Sequence, residues 1–197
     1  MATPTYAQSR VLLLSDGLAN EGITDPLEIR KLVREAGRIY GGPVVEADLH
    51  LPLYDGDLET RDGVPDSVMR LAEQIAAAEA VAISTPEYNK MTSGVLKNAL
   101  DWVSRVKGSP WKGKPVAVMS AAAGREGGAR ATFALRLAMV PFRPRLLPGP
   151  EVMVADARNQ FAHPTLMADE GLLPPEVSEV LRALQKEAPR VPFEVME

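Results

Sequence analysis

The chain contains no cysteine, which excludes a disulfide framework, thiol catalysis and a thiolate metal site. Its only two histidines, His50 and His163, are far apart in the sequence and do not have metal-ligand spacing. We therefore predict no metal site. There is no excess of basic residues either. The formal net charge of −4 gives no long-range attraction to nucleic acid or to an anionic membrane.

Long apolar runs are also missing, since none approaches the roughly 20 residues that a membrane-spanning helix needs. The first residues lack the basic region and apolar stretch of a secretory leader. Hydrophobic residues make up 46% of the chain and charged residues 24%, which is ordinary globular usage. We expect a soluble, cytoplasmic protein in which residues 1–197 form a single domain.

Apolar runs that favour strands alternate with segments of helical periodicity. This alternation predicts an α/β fold, a three-layer sandwich whose parallel sheet has helices on both faces. With right-handed crossovers the flavodoxin-like strand order 2-1-3-4-5 fits. Residues 50–65, rich in Asp, Gly and Pro, are expected to form an irregular surface loop. The five strands are predicted at residues 11–14, 44–47, 80–83, 115–120, and an interrupted fifth at 146–147 and 152–154; helices are expected near 32–40, 68–76, 93–103, 130–140 and 174–184.

The stretch 81–106 organises the rest of the chain. A buried strand ends near Pro86, which removes a ladder donor. A polar loop follows, and a helix begins at Ser93-Gly94 with apolar positions including Val95 and Leu96. A strand, a polar loop and a helix in this order place ligand-binding groups at the carboxyl edge of a parallel sheet.

The residues Pro86-Glu87-Tyr88-Asn89, Gly94 and the run 96–102 (LKNALDW) resemble the NADPH-dependent FMN reductase family of flavodoxin-like proteins. The resemblance resumes at residues 120–131 and 148–154. It implies that FMN lies at the sheet edge, with its isoalloxazine ring along Pro86, Glu87, Tyr88 and Asn89. On the other side of the ring it implies Ser120, Gly124, Gly127 and Gly128.

The same resemblance implies an oxidoreductase that takes hydride from NADPH or NADH and passes electrons to a small acceptor by a ping-pong sequence. Free flavin, a quinone, an azo compound and a metal oxyanion all remain open as acceptors. Because the cofactor carries the chemistry, no catalytic nucleophile–base pair is expected. The resemblance also implies a homodimer or homotetramer, with the helix that contains Asp101-Trp102 as a candidate contact. For these two residues we expect helix capping, packing or a subunit interface rather than catalysis.

The loop after the first strand departs from the family. Where the family has a Ser-x-Arg-x-x-Ser pattern for the FMN phosphate, this chain has no Arg or Lys between positions 16 and 29 but three carboxylates. Asp25-Pro26-Leu27-Glu28 has the pattern of a capped helix start, which uses the amide donors that a phosphate needs. Asp16, Asn20 and Thr24, with the loop amides, are the candidate phosphate-side residues. The alternative is a flavodoxin-like module that has lost FMN and serves a binding or structural role.

Several residues have a plainer alternative reading. The 86–89 loop is a mere turn in that reading, and Glu87 a simple surface carboxylate. Trp111, in a Lys-Gly-Ser-Pro-Trp-Lys turn, is expected at the surface or an interface. Arg125 and Arg130, beside the glycines, are candidates to meet a nicotinamide nucleotide phosphate, with solvated surface charge as the plainer alternative.

Overall fold

The computed structural model describes residues 11–15, 34–157, 159 and 175–188. Six strand segments form one sheet: β1 Val11–Ser15, β2 Val44–Glu46, β3 Ala80–Thr85, β4 Pro115–Ala121, β5 Arg145–Leu146 and β6 Val152–Val154. The helices are α1, described over residues 34–40, then α2 Gly56–Asp62, α3 Asp66–Ala77, α4 Gly94–Val103, α5 Ala129–Met139 and α6 Pro175–Glu187, with a 3₁₀ turn at Val140–Phe142 after α5.

The sheet is parallel and its order is β2-β1-β3-β4-β5, which confirms the predicted flavodoxin-like order. The strand β6 also pairs with β4, opposite residues 119–121, whereas β5 lies opposite Pro115 and Val116. Both segments therefore continue the same edge of the sheet. The prediction of an interrupted fifth strand is confirmed.

Alternate residues of the central strands enter two separate cores, as a period of two requires. On one face Leu12, Leu14, Val81 and Ile83 pack with α3, α4 and α5. On the other, smaller residues such as Ala80, Ala82 and Ala117 pack with α1 and α6. Since both faces are covered, β3 and β4 have almost no polar alternation, which is typical of parallel strands.

The helix α6 confirms its predicted apolar face, because Val177, Val180, Leu181 and Leu184 are all buried. Each such side chain contributes about 1.5–3 kcal/mol relative to an exposed position. Among the described helices, none combines the length and the apolar character that crossing a bilayer requires.

Residues 50–65 are not wholly irregular, contrary to expectation, because they contain α2. The Asp55 carboxylate caps this helix, accepting a hydrogen bond from the Asp57 amide at 2.8 Å. Glu59 of α2 accepts hydrogen bonds from Tyr54 Oη and Arg105 Nε, and the bond from Arg105 lowers the Glu59 pKa. No residue of α2 is buried, so its sequence lacks the periodic apolar residues that predict a helix.

The structure corrects two positions in or near the organising helix, Val95 and Trp111, and shows the role of a third, Trp102. Val95 is exposed, although it was expected on the apolar face of α4. Trp102 is fully buried, and its indole Nε1–H donates to the Pro52 carbonyl at 2.7 Å, which confirms packing within the subunit among the roles expected of it. Trp111 is buried too, contrary to the surface expectation, because its ring packs edge-on against Phe142 with centroids 6.4 Å apart.

Candidate functional site

The three central strands end at the same edge of the sheet. Ser15, the last residue of β1, lies opposite Ser84 of β3, and Thr85 lies opposite Ser120 of β4. The loops that follow β3 and β4 therefore leave the sheet side by side, next to the carboxyl end of β1, where the strand order reverses. In open α/β sheets this switch point is where ligands bind.

The loop after β3 is fastened at its base by buried hydroxyl groups. Thr85 Oγ1 lies 2.9 Å from Thr92 Oγ1 and donates to the Pro86 carbonyl. Directly after Thr92, the Ser93 side chain accepts a hydrogen bond from the Leu96 amide and so caps α4. Sequence reasoning identified the Ser93 helix start but missed the threonine pair, which has no recognisable spacing.

The tip of this loop is a tight turn. Tyr88 and Met91 exchange backbone hydrogen bonds of 3.0 Å, and Asn89 and Lys90 between them have φ of 50° and 68°. Positive φ at both central residues is the type I′ pattern, for which Asn is well suited. The turn leaves Tyr88 39% exposed at the sheet edge, whereas Pro86 at the base is buried.

The loop after β4 is held to the rest of the chain by close backbone packing. Gly127 has φ of +57°, and a Cβ there would overlap the Met153 carbonyl group of β6. A Cβ on Gly128, at φ +86°, would lie 2.9 Å from Ser120 Cβ. The lack of a side chain at these two glycines lets the loop backbone lie directly against β6 and against Ser120 of β4. By contrast, a Cβ on Gly124 would meet no atom within 4 Å.

Ser120 is almost fully buried and its hydroxyl is used within the protein. It donates to the Gly127 carbonyl at 2.6 Å and accepts from Thr132 Oγ1 at 2.9 Å. The hydroxyl thus fixes the loop from beneath. Its predicted contact with a flavin, like those of the three glycines, stays a prediction.

Glu87 joins the two loops. Its Oε2 accepts a hydrogen bond of 3.0 Å from the backbone amide of Arg130, in the first turn of α5. The carboxylate also lies 3.9 Å from Arg130 Nη1, and its side chain is only 15% exposed. The alternative of a simple surface carboxylate is therefore wrong. The sequence held one cue, since α5 begins after Gly127-Gly128 and has no capping side chain of its own.

Arg130 is engaged in ion pairs with Glu126 and Glu87, whereas Arg125 is exposed. The remaining predicted residues, Asp16, Asn20 and Thr24, lie outside the described residues, as does the 25–28 capping pattern. Within the described ranges, no cluster of three or more His, Cys, Asp or Glu side chains is placed to hold a metal ion.

Fold and site together define a flavodoxin-like α/β protein with a candidate site at the carboxyl edge of its central strands. The model of the NADPH-dependent FMN reductase family matches residues 29–159, which is more than half of the chain and includes both described loops. The chain belongs to that family.

Two curated relatives are similar to this chain. An NAD(P)H-dependent FMN reductase of Pseudomonas aeruginosa is 48% identical over 111 residues, covering 56% of this chain and 60% of the relative. A quinone reductase of Escherichia coli K12 is 41% identical over 124 residues, covering 62% of this chain and 66% of the relative. The match thus spans less than two thirds of each relative.

Solved structures show the same fold over a longer stretch. The flavoenzyme NAD(P)H:acceptor oxidoreductase of Paracoccus denitrificans has a TM-score of 0.68 at 24% identity, covering 91% of this chain and 96% of that one. An azoreductase of Bacillus anthracis has a TM-score of 0.56 at 17% identity, covering 90% of this chain and 99% of that one. At these identities the likeness establishes the fold alone.

Proposed function

We propose that this protein is an FMN-using oxidoreductase that takes hydride from NADPH or NADH and reduces a small acceptor such as a flavin, a quinone or an azo compound. One observation supports this above all. The family match includes both loops at the switch edge, and in the structure Glu87 fastens these loops into one unit. The activities for which the two relatives are named, NAD(P)H-dependent FMN reduction and quinone reduction, agree with it.

The described part of the site fits a flat aromatic ligand. Tyr88 presents a partly exposed ring with a polar tip, which suits a ring system with polar edges. The region around Gly124 has room that a side chain would otherwise fill. We expect Tyr88 and Asn89 to line one side of the ring and the glycines Gly124, Gly127 and Gly128 the other. Asp16, Asn20 and Thr24 would serve the phosphate.

When bound, FMN supplies the hydride-accepting and electron-donating chemistry. The residues of the chain would hold and orient this cofactor. The tied base of the 86–93 loop and its I′ turn fix where Tyr88 lies, and the Ser120 hydroxyl fixes the opposing loop. A single exposed ring face would serve the nicotinamide and the acceptor in turn, so a ping-pong sequence is expected.

We further propose a cytoplasmic homodimer or homotetramer. Trp102 is buried inside its own subunit and cannot supply the contact. Met91 in the loop before α4 is 56% exposed, however, and Val95 in the first turn of α4 is 46% exposed. Light scattering after size-exclusion chromatography measures the state directly, and a monomer would contradict this expectation.

The deciding experiment is an FMN titration of the purified protein, with NADPH and NADH oxidation measured in parallel against a quinone. Saturable FMN binding and flavin-dependent oxidation are expected, and Tyr88→Ala should weaken binding. Leu137→Ala, at an exposed position on α5, is the matched control. Absence of saturable binding at micromolar FMN would instead favour the module that has lost its cofactor.

A further inference from the structure

We propose that Glu87 is a positioning residue, whose carboxylate fixes the 86–91 loop to α5 so that the loop lies ready for the flavin ring. The resemblance implies that the backbone of residues 86–89 lies along the flavin ring, and the Glu87 carboxylate is directed at the protein. This role rests on the proposed function and adds to it the means by which the ring side of the site is held.

The first reason is that α5 needs an acceptor from elsewhere in the chain. A helix start leaves amide donors without an intrahelical partner, and the residue before α5 is Gly128, which has no side chain to offer. Glu87 supplies the acceptor at 3.0 Å from the Arg130 amide. A negative charge at a helix amino terminus is also favoured by the helix dipole.

The second reason is that the carboxylate is held from more than one side. Arg130 Nη1 lies 3.9 Å away and is itself paired with the exposed Glu126. A Cβ at Gly128 would lie 3.7 Å from Glu87 Cβ, so the stem of Glu87 packs over the glycine. These contacts hold the Glu87 side chain against the start of α5.

The third reason is the place of Glu87 along its loop. It lies between the buried Pro86 and the partly exposed Tyr88. The bonds between Tyr88 and Met91 are internal to the tip, and the bond between Thr85 and Thr92 closes the base. The Glu87 bond reaches from this loop to another element and so sets where the tip stands relative to the 122–128 loop.

The expected consequence is a change in affinity rather than in chemistry. A ligand that needs the fixed loop binds with an apparent Kd that rises as the fraction of protein with the loop in place falls. Removal of one charge-assisted hydrogen bond shifts the equilibrium of the loop by about tenfold or more, and we expect that fraction to fall by about tenfold. Turnover at saturating FMN should change little, since the bound ligand restores the loop.

The test compares the FMN Kd of the full-length wild type, Glu87→Ala, Glu87→Gln and Glu126→Gln, well below the melting temperature. We expect about a tenfold rise for Glu87→Ala. Glu87→Gln should recover most of the affinity, because its amide oxygen still accepts the Arg130 N–H. Glu126→Gln, which removes the other partner of Arg130 and keeps the Glu87 bond, should equal the wild type. If Glu87→Ala does not fold, Glu87→Asp, whose carboxylate falls one methylene short, carries the same expectation.

Hydrogen exchange of the ligand-free proteins provides a second readout. Glu87→Ala should speed exchange in residues 86–91 and in the first turn of α5, and leave β3 unchanged. A lower melting temperature with an unchanged Kd would reduce Glu87 to a helix cap and overturn its positioning role. Equal losses in Glu87→Ala and Glu87→Gln would overturn it in favour of a direct charge effect. A wild type that binds no FMN would refute the proposed function itself, and with it any role of Glu87 toward flavin.

Discussion

Gly127→Ala should destabilise the protein strongly, although it adds one methyl group. Gly127 has φ of +57°, and the new Cβ would overlap the Met153 carbonyl, which is backbone and belongs to β6. The left-handed conformation costs a non-glycine residue about 1–2 kcal/mol. Overpacking typically adds about 1–3 kcal/mol. We therefore expect a loss of roughly 2–5 kcal/mol in the free energy of unfolding.

Urea denaturation measures this loss as a lower midpoint at unchanged slope. For a protein of this size, each kcal/mol also lowers the melting temperature by about 2–4 °C. The matched control is Gly124→Ala in the same loop, where a Cβ meets nothing within 4 Å. Its effect should stay within about 0.5 kcal/mol. Equal midpoints for the two variants would refute the claim that β6 confines this loop.

Three further variants test interactions elsewhere in the chain. Trp102→Phe removes the indole donor to the Pro52 carbonyl and leaves a cavity at a buried position, so it should cost more than about 1 kcal/mol in urea denaturation; no shift would mean that neither the bond nor the packing contributes. Thr85→Val removes the buried bond to Thr92 while keeping the shape, and a loss of about 1–3 kcal/mol is expected in thermal melts, with an unchanged melting temperature as the contrary result. Asp25→Ser replaces the predicted capping carboxylate with a hydroxyl that can also cap a helix, and it removes a negative charge from the expected phosphate side, so FMN affinity should rise; unchanged affinity would show that this carboxylate does not repel the phosphate.

The sheet was predictable because its strands are apolar runs of the right length, separated by helical periods. The residues of β3 and β4 are buried on both faces, and α6 places its four buried residues at helical spacing, so each pattern is local. By contrast, α2 buries nothing and depends on the Asp55 cap and on the contacts of Glu59, which the hydrophobic pattern does not record.

Burial of Trp111 was missed because its cause lies elsewhere in the chain. A tryptophan in a Gly- and Pro-containing turn has the local features of a surface residue. It is buried because Phe142, in the 3₁₀ turn after α5, comes back against its ring, and because the Gly113 amide donates to the Arg143 carbonyl nearby. Such a long-range contact has no signature in either segment alone.

At the candidate site, sequence motifs identified which loops matter but not how they are joined. The Glu87–Arg130 bond connects a motif residue to the amide of a helix that begins 42 positions beyond it, at Ala129. The cue that the sequence offered was the absence of a capping side chain before α5. A helix preceded by two glycines needs a partner for its first amides, and a carboxylate on the neighbouring loop meets that need.

The two halves of the site should contribute unequally to affinity. In the ring half, hydroxyls, a carboxylate and close glycine packing hold both loops through the protein's own contacts, so little ordering should remain to oppose binding. In the phosphate half, residues 17–28 offer three carboxylates and no basic side chain. A charge-assisted phosphate contact contributes about 1.5–3 kcal/mol, so a loop with several of them would favour FMN over riboflavin by more than about a thousandfold. We expect less than about tenfold, measured as the ratio of the two Kd values under identical conditions. A ratio of a hundredfold or more would show that the acidic loop grips phosphate after all, with donors other than the missing arginine.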